Sequence, residues 1–211
     1  IMYANPTDPD AGADQTVCVP DGQVSTSTAL AGNTINNDYA TWSLQNSGTK
    51  TGGTIVSPND PTSQITNLQD DGTDVPYEFV WTASVDNCTE TDQVDIYVID
   101  LTADAGDDET VCTSDTVLSA TPITRGTGLW TGPGGVTIAN ANSANTAVYD
   151  LNDENNKFTW TVTEGSCSKD DFVIITNSKV HPDAGTVTSP VTSCFPDGET
   201  NFNGVLEGDE T

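Results

Sequence analysis

Oxygen ligands are the first chemistry this chain offers. Asp104, Asp107, Asp108 and Glu109 fall within six residues, and Asp10 and Asp14 stand at matching positions earlier in the chain. Ca2+ is a hard cation that collects about six to eight oxygens, so these six side chains are candidate calcium ligands. Asp100 and the turn residues Asp70, Asp71 or Asp153 could complete a shell. The competing reading is structural: Asp and Gly are ordinary turn formers, and no EF-hand spacing occurs. His181 is the single histidine and precedes Pro182. Any Ser-His-Asp or Cys-His arrangement would have to use it, and no nucleophile-elbow motif is present. Carboxylates are so abundant that a nearby pair says little about glycosidase chemistry. The expectation is a protein without catalytic residues and without a required cofactor, with Ca2+ as a candidate ligand at junctions between modules.

The acidic positions recur because the sequence repeats. Asp10-Ala-Gly-Ala-Asp-Gln-Thr-Val-Cys18 is answered by Asp104-Ala-Gly-Asp-Asp-Glu-Thr-Val-Cys112, 94 residues later. A looser copy begins at Asp183-Ala-Gly and reaches Cys194. An aspartate stands three residues after each cysteine, at Asp21, Asp115 and Asp197, where a carboxylate can cap a turn through backbone N–H groups. Self-similarity at a domain-sized period marks an array of modules. The expected organisation is residues 1–9 as the end of a preceding module and a linker, 10–100 as repeat 1, 101–178 as repeat 2, and 179–211 as the start of a truncated repeat 3.

With 32 acidic and five basic residues, the net charge is −27. Phosphate backbones would be repelled, and so would anionic membrane surfaces; the expected partners include no nucleic acid and no inserted membrane. No apolar run reaches the roughly 20 residues of a membrane helix, and Ile1-Met-Tyr does not open a signal peptide.

The five cysteines are Cys18, Cys88, Cys112, Cys167 and Cys194. Each full module has one near its start and one near its end, so the expected pairs are Cys18 with Cys88 and Cys112 with Cys167, leaving Cys194 to a partner beyond Thr211. No Cys/His spacing suggests a metal. Closing the loop from Cys112 to Cys167 would contribute roughly 4 kcal/mol on the chain-entropy model, as suits small modules in an oxidising compartment.

Short β-rich runs must position these residues. Tyr39–Leu44, Gln64–Leu68, Tyr77–Trp81 and Val94–Ile99 in repeat 1 are answered by Leu129–Thr131, Thr146–Leu151, Phe158–Val162 and Phe172–Ile175 in repeat 2. Gly, Asn, Asp and Pro punctuate them, and no 3.6-residue apolar period persists. The expected fold is all-β: tandem sandwich modules arranged end to end. Trp42/Trp130 and Trp81/Trp160 correspond between the copies. They could stack on sugars, but at alternating strand positions they read as core.

Asp-Ala-Gly…Thr-Val-Cys, then Trp-Thr, then Phe-x-Trp-Thr-Val…Cys resembles the immunoglobulin-like or PKD-like repeats of Bacteroidota cell-surface adhesins. These include gliding-motility adhesins exported by type 9 secretion. The resemblance implies a stalk or filament segment of a long, extracellular adhesin, anchored to the outer membrane through other parts of the protein. Implied partners are neighbouring repeats and outer-membrane motility or secretion machinery. The cysteines do not follow the usual immunoglobulin staple between strands B and F, so antibody-like recognition does not follow. Alternatives are repeats that bind glycan or protein directly, or spacers of a secreted hydrolase. Asp115-Thr116-Val117 matches a Bacteroidota O-glycosylation sequon, making Thr116 a glycosylation candidate; Asn87-Cys88-Thr89 has N-glycosylation spacing.

Overall fold

The computed structural model describes residues 6–36, 39–45 and 49–178; His181, Cys194 and the expected third repeat lie outside them. Every regular element is a β-strand, as the short alternating runs predict. The first repeat supplies β1 (Gln15–Cys18), β2 (Thr26–Ala29), β3 (Tyr39–Leu44), β4 (Gly52–Ile55), β5 (Gln64–Leu68), β6 (Tyr77–Val85) and β7 (Cys88–Ile99). The second supplies β8 (Glu109–Val111), β9 (Thr116–Ser119), β10 (Thr127–Thr131), β11 (Thr137–Ile138), β12 (Asn145–Tyr149), β13 (Glu154–Glu164) and β14 (Cys167–Asn177).

Each repeat folds into two sheets with one topology. Sheet β1-β7-β6-β3 is matched by β8-β14-β13-β10, and sheet β2-β5-β4 by β9-β12-β11. The first strand of each repeat lies parallel to the last, β1 on β7 and β8 on β14. This is a tandem immunoglobulin-like sandwich plan.

By contacts the chain separates into two compact units that do not follow the repeat boundaries. The first comprises Ile1–Ala103 with Ile123–Gly128 and Thr161–Asp170; the second comprises Asp104–Pro122, Leu129–Trp160 and Asp171–Thr211.

In the first unit the core gathers Leu30, Trp42, Ile65, Leu68, Phe79, Trp81, Val94 and Ile96. Alternation on a strand sends every second residue inward, which is why Tyr77, Phe79 and Trp81 are all buried. Trp42 and Trp81 are directly opposed across β3 and β6, with ring centroids 4.8 Å apart. The second unit repeats the pair with Trp130 and Trp160 at 5.1 Å. All four indoles are at most 3% exposed, so they are core and not sugar platforms.

A second repeated device anchors the connection into the long hairpin. The Tyr77 hydroxyl accepts the Gln69 N–H at 3.0 Å and lies 2.6 Å from the Thr51 carbonyl. Four residues before the second tryptophan of the other repeat stands Asn156, fully buried. Its amide accepts the Asn152 N–H at 2.9 Å and donates to the Asn152 carbonyl at 2.8 Å. Two different side chains thus satisfy the same backbone position. Tyr77→Phe removes the partner of the part-buried Gln69 N–H and is expected to cost the first unit about 1 kcal/mol in a urea titration, the net worth of a typical hydrogen bond.

The expected cysteine pairs are not formed, and strand length explains why. Cys18 lies beside Ile99 in the parallel register of β1 on β7, whereas Cys88 begins that strand, 11 residues away. At about 3.3 Å per residue they are separated by roughly 36 Å, and a disulfide needs Cα atoms within about 7 Å. Cys112 and Cys167 stand apart in the same way, because Val111 pairs with Asn177 at the far end of β14. Cys18 is bonded instead to Cys167, with Cα atoms 5.6 Å apart. Cys112 is in a disulfide as well, though not with Cys167. Cys88 is a free thiol.

Candidate functional site: repeated turns and a disulfide-ion pair cluster

Five of the six carboxylates proposed as calcium ligands, all but Asp107, are engaged with the protein itself. In the first unit, Asp10 Oδ1 accepts the Gly12 N–H at 2.9 Å. The buried Ala11 donates its N–H to Asp92 Oδ2 at 2.7 Å, and Asp14 Oδ1 accepts the Asp95 N–H at 2.9 Å. The second unit repeats the three bonds: Gly106 N–H to Asp104 Oδ1 at 3.0 Å, Ala105 N–H to Asp171 Oδ2 at 2.8 Å, and Ile174 N–H to Asp108 Oδ1 at 2.8 Å. The Asp-Ala-Gly motif is therefore a turn that leads into the first strand and pins it to the last.

Its glycine is required. Gly106 has φ +85°, where side chains are strained, and a Cβ there would lie 2.8 Å from the Ser119 carbonyl oxygen. The Gly106 N–H, and then the Thr121 hydroxyl, hold the Asp104 carboxyl below its usual range. Glu109 Oε2 accepts the Thr116 hydroxyl at 3.3 Å, and Asp107 is exposed. Among the described residues no three His, Cys, Asp or Glu side chains come together as a metal site. Two of the Cys-x-x-Asp residues, Asp21 and Asp115, also differ from the expected caps, and Asp197 lies outside the described residues. The Asp21 carboxylate faces Lys169 at 3.6 Å, and that of Asp115 accepts the Ser114 hydroxyl at 2.7 Å.

Of the carboxylates expected to complete the shell, Asp70, Asp71 and Asp100 are met by cations, and Asp153 is exposed. Lys50, 6% exposed, lies 2.9 Å from Asp71 and 5.4 Å from the centre of the Tyr77 ring. The Thr73 hydroxyl and the Lys50 ammonium bring the Asp71 carboxyl down to about 2. Because that value is depressed, the contribution of Asp71 to stability is complete above its ordinary range near 3.8 and is lost as pH falls through about 2. An NMR titration is expected to find the midpoint near 2. Thr73→Val should move it upward further than Lys50→Met does, since the hydroxyl bond is the larger cause.

Around the disulfide, within the first unit, lies a cluster that the sequence reading did not single out. Arg125, the only arginine, grips Glu164 with two bonds, Nε to Oε2 at 2.6 Å and Nη2 to Oε1 at 2.8 Å. Its Nη1 reaches Asp70 Oδ2 at 3.0 Å, and Nη2 reaches Asp74 at 3.2 Å. The Asp70 side chain is 6% exposed and also accepts the Asp100 N–H at 2.7 Å. Lys169 bonds Asp100 at 2.8 Å. The hydrogen bond from Arg125 lowers the Glu164 carboxyl, and that same bond, with the nearby carboxylates, raises the guanidinium. A two-pronged guanidinium–carboxylate pair fixes orientation as well as charge. The one signal available in sequence was scarcity: the chain has five cations, and among the described residues three of them lie in carboxylate pairs. The cluster holds a disulfide and ion pairs, so what it can do is resist separation of the segments it joins.

No family model matches this sequence, and no curated protein matches it. Solved structures do match in fold. Domains 3–5 of the extracellular part of Drosophila OTK align over 84% of this chain and 62% of theirs, at 10% identity and TM-score 0.52. A three-Ig titin fragment covers 84% of this chain and 66% of its own, at 12% identity and TM-score 0.44. A PKD domain solved in solution covers 39% of this chain at 29% identity and TM-score 0.31. The chain therefore spans under two thirds of the length of the OTK fragment and about two thirds of the titin fragment. The OTK likeness supports the immunoglobulin-like fold and nothing further.

Proposed function

We propose that this chain is a load-bearing stalk segment of a long bacterial cell-surface adhesin, one that holds a distal adhesive region away from the cell for gliding or attachment. It acts mechanically and performs no catalysis. The observation that carries the reading is the Cys18–Cys167 disulfide, whose cysteines are 149 residues apart in sequence. Tension applied at the two ends of the chain passes through the sulfur–sulfur bond. Residues 19–166, with both tryptophan pairs, lie off that path. Arg125 and Lys169 hold carboxylates beside the same bond, and the remaining acidic surface repels like surfaces.

The resemblance to Bacteroidota adhesin repeats supplies the setting: an oxidising exterior that preserves a disulfide, with type 9 secretion as the export route and outer-membrane motility machinery among the partners. The reading needs no cofactor. Antibody against this chain is expected to label intact cells, and protease applied from outside should remove the label and abolish surface attachment. Labelling that appears only after permeabilisation would overturn the proposal.

A further inference from the structure

β3 is the outermost strand of its sheet, and beside it the first unit holds a cavity of about 360 Å³. Thr34, Ile35, Tyr39, Asn59, Pro61 and Trp81 line it. That size lies at the lower end of small-molecule sites, which run from roughly 300 to 1,000 Å³. None of the described lining residues is charged, in a chain with 32 carboxylates and five cations. Asp60, between Asn59 and Pro61, turns its carboxylate onto the Thr62 N–H and hydroxyl at 2.8 and 2.9 Å. An ionic ligand would find no counter-ion among these residues.

Hydrogen bonds within the protein fix the walls. The Trp42 indole N–H donates to the Asp60 and Pro61 carbonyls at 3.1 and 3.3 Å. The Gly32 N–H donates to the Pro61 carbonyl at 2.9 Å. Asn59 Nδ2 donates to the Ala40 carbonyl at 2.7 Å, which fixes the amide plane and leaves its side-chain oxygen to accept. Trp81 is 1% exposed, and its indole N–H meets no acceptor among the described residues. An indole nitrogen can only donate, and a buried donor without a partner is destabilising. Tyr39 is the opposite case, an aromatic face 64% exposed on an edge strand.

From this set we infer that the cavity binds one neutral sugar ring, a pyranose rich in hydroxyls and without charge. A pyranose has an apolar C–H face and a polar rim, and the site offers a partner for each. The C–H face packs on the Tyr39 ring. One hydroxyl donates to the Asn59 side-chain oxygen, and another accepts the Trp81 N–H in place of water. The Thr34 hydroxyl serves as donor or acceptor. A proline-rich peptide docks in a groove lined by several aromatic rings, and of the two rings here only Tyr39 is exposed.

The site belongs to the first repeat alone. The Trp160 indole N–H also lacks an acceptor, so the orphaned donor by itself marks no ligand. Thr127 stands three residues before Trp130, where Tyr39 stands before Trp42, and threonine has no ring on which a sugar can stack. Binding of a sugar here is independent of the load-bearing reading.

An NMR titration of the ¹⁵N-labelled chain tests the inference. The probes are the methyl glycosides of glucose, galactose and mannose, with glucuronic acid as the charged control. The expected result is a saturable shift of the Trp81 indole resonance with at least one neutral glycoside, at millimolar Kd, while Trp160 stays in place. Glucuronic acid should bind more weakly than that glycoside. Tyr39→Ala should weaken the affinity roughly five- to tenfold, the worth of one aromatic face, and Tyr39→Phe should retain it. No saturable shift with any of the neutral glycosides means that water alone answers the indole, and overturns the inference. Equal shifts at Trp81 and Trp160, an unchanged affinity in Tyr39→Ala, or equal binding of glucuronic acid overturn it as well.

Discussion

Cys18→Ser is expected to destabilise the first unit by roughly 5 kcal/mol, the value that chain-entropy arithmetic gives for a cross-link between residues 149 apart. The size follows from loop length. A staple within one repeat would constrain some 55–70 residues and contribute about 4 kcal/mol; spanning both repeats removes more freedom from the unfolded chain. Cys167→Ser should give the same loss, and the double substitution no more than either alone, because one bond is removed in every case. Cys88→Ser is the internal control and should change the unfolding free energy by less than about 0.5 kcal/mol, as a substitution away from the packed core does. Equal effects of Cys88→Ser and Cys18→Ser would mean that the chain in solution is stapled within the first repeat.

Arg125→Met is the second large effect, expected at about 3 kcal/mol. Its guanidinium answers the Asp70 carboxylate, which is 6% exposed and cannot regain full hydration where it stands. Removing one partner of a buried pair leaves an uncompensated charge, and such losses run to about 3–5 kcal/mol; the lower end applies because Arg125 is 20% exposed. Arg125→Lys keeps the charge but loses the fork on Glu164 and should recover about half. The Glu164 carboxyl, now held low by that bond, should titrate higher in both variants. The wild-type contribution of Glu164 is present above its ordinary range and is lost as pH falls below it. The variants should therefore have flatter stability profiles on the acid side.

The strands were legible where one face is buried. Tyr39–Leu44 and Gln64–Leu68 have the bounds of β3 and β5, because aromatic and β-branched residues alternate with polar ones there. What escaped was the length of the hairpins. β7 begins at Cys88, well before the apolar run at Val94, through Thr-Glu-Thr-Asp-Gln, residues that carry no strand pattern and hold their place by pairing with β6. That missing length is also why the cysteine pairs were misassigned. Counting modules puts Cys18 and Cys88 together, and a strand of 12 residues keeps them apart.

The acidic motif was legible as a repeat but not as chemistry. Asp10 and Asp104 turn out to serve backbone N–H groups, with Asp92 and Asp171 as counterparts over 60 residues away in sequence. Arg125 was invisible because its partners come from separated segments of the chain.

Single-molecule stretching of the chain, tethered at its two ends with and without reductant, tests the load-bearing claim most directly. With the disulfide intact, residues 19–166 are expected to contribute no extension at forces that unfold sandwich domains. On reduction the same chain should release about 500 Å of additional contour, at about 3.3–3.6 Å for each of the 149 residues freed. Equal contour lengths in the two conditions would show that tension runs through the sandwich cores and would contradict the account.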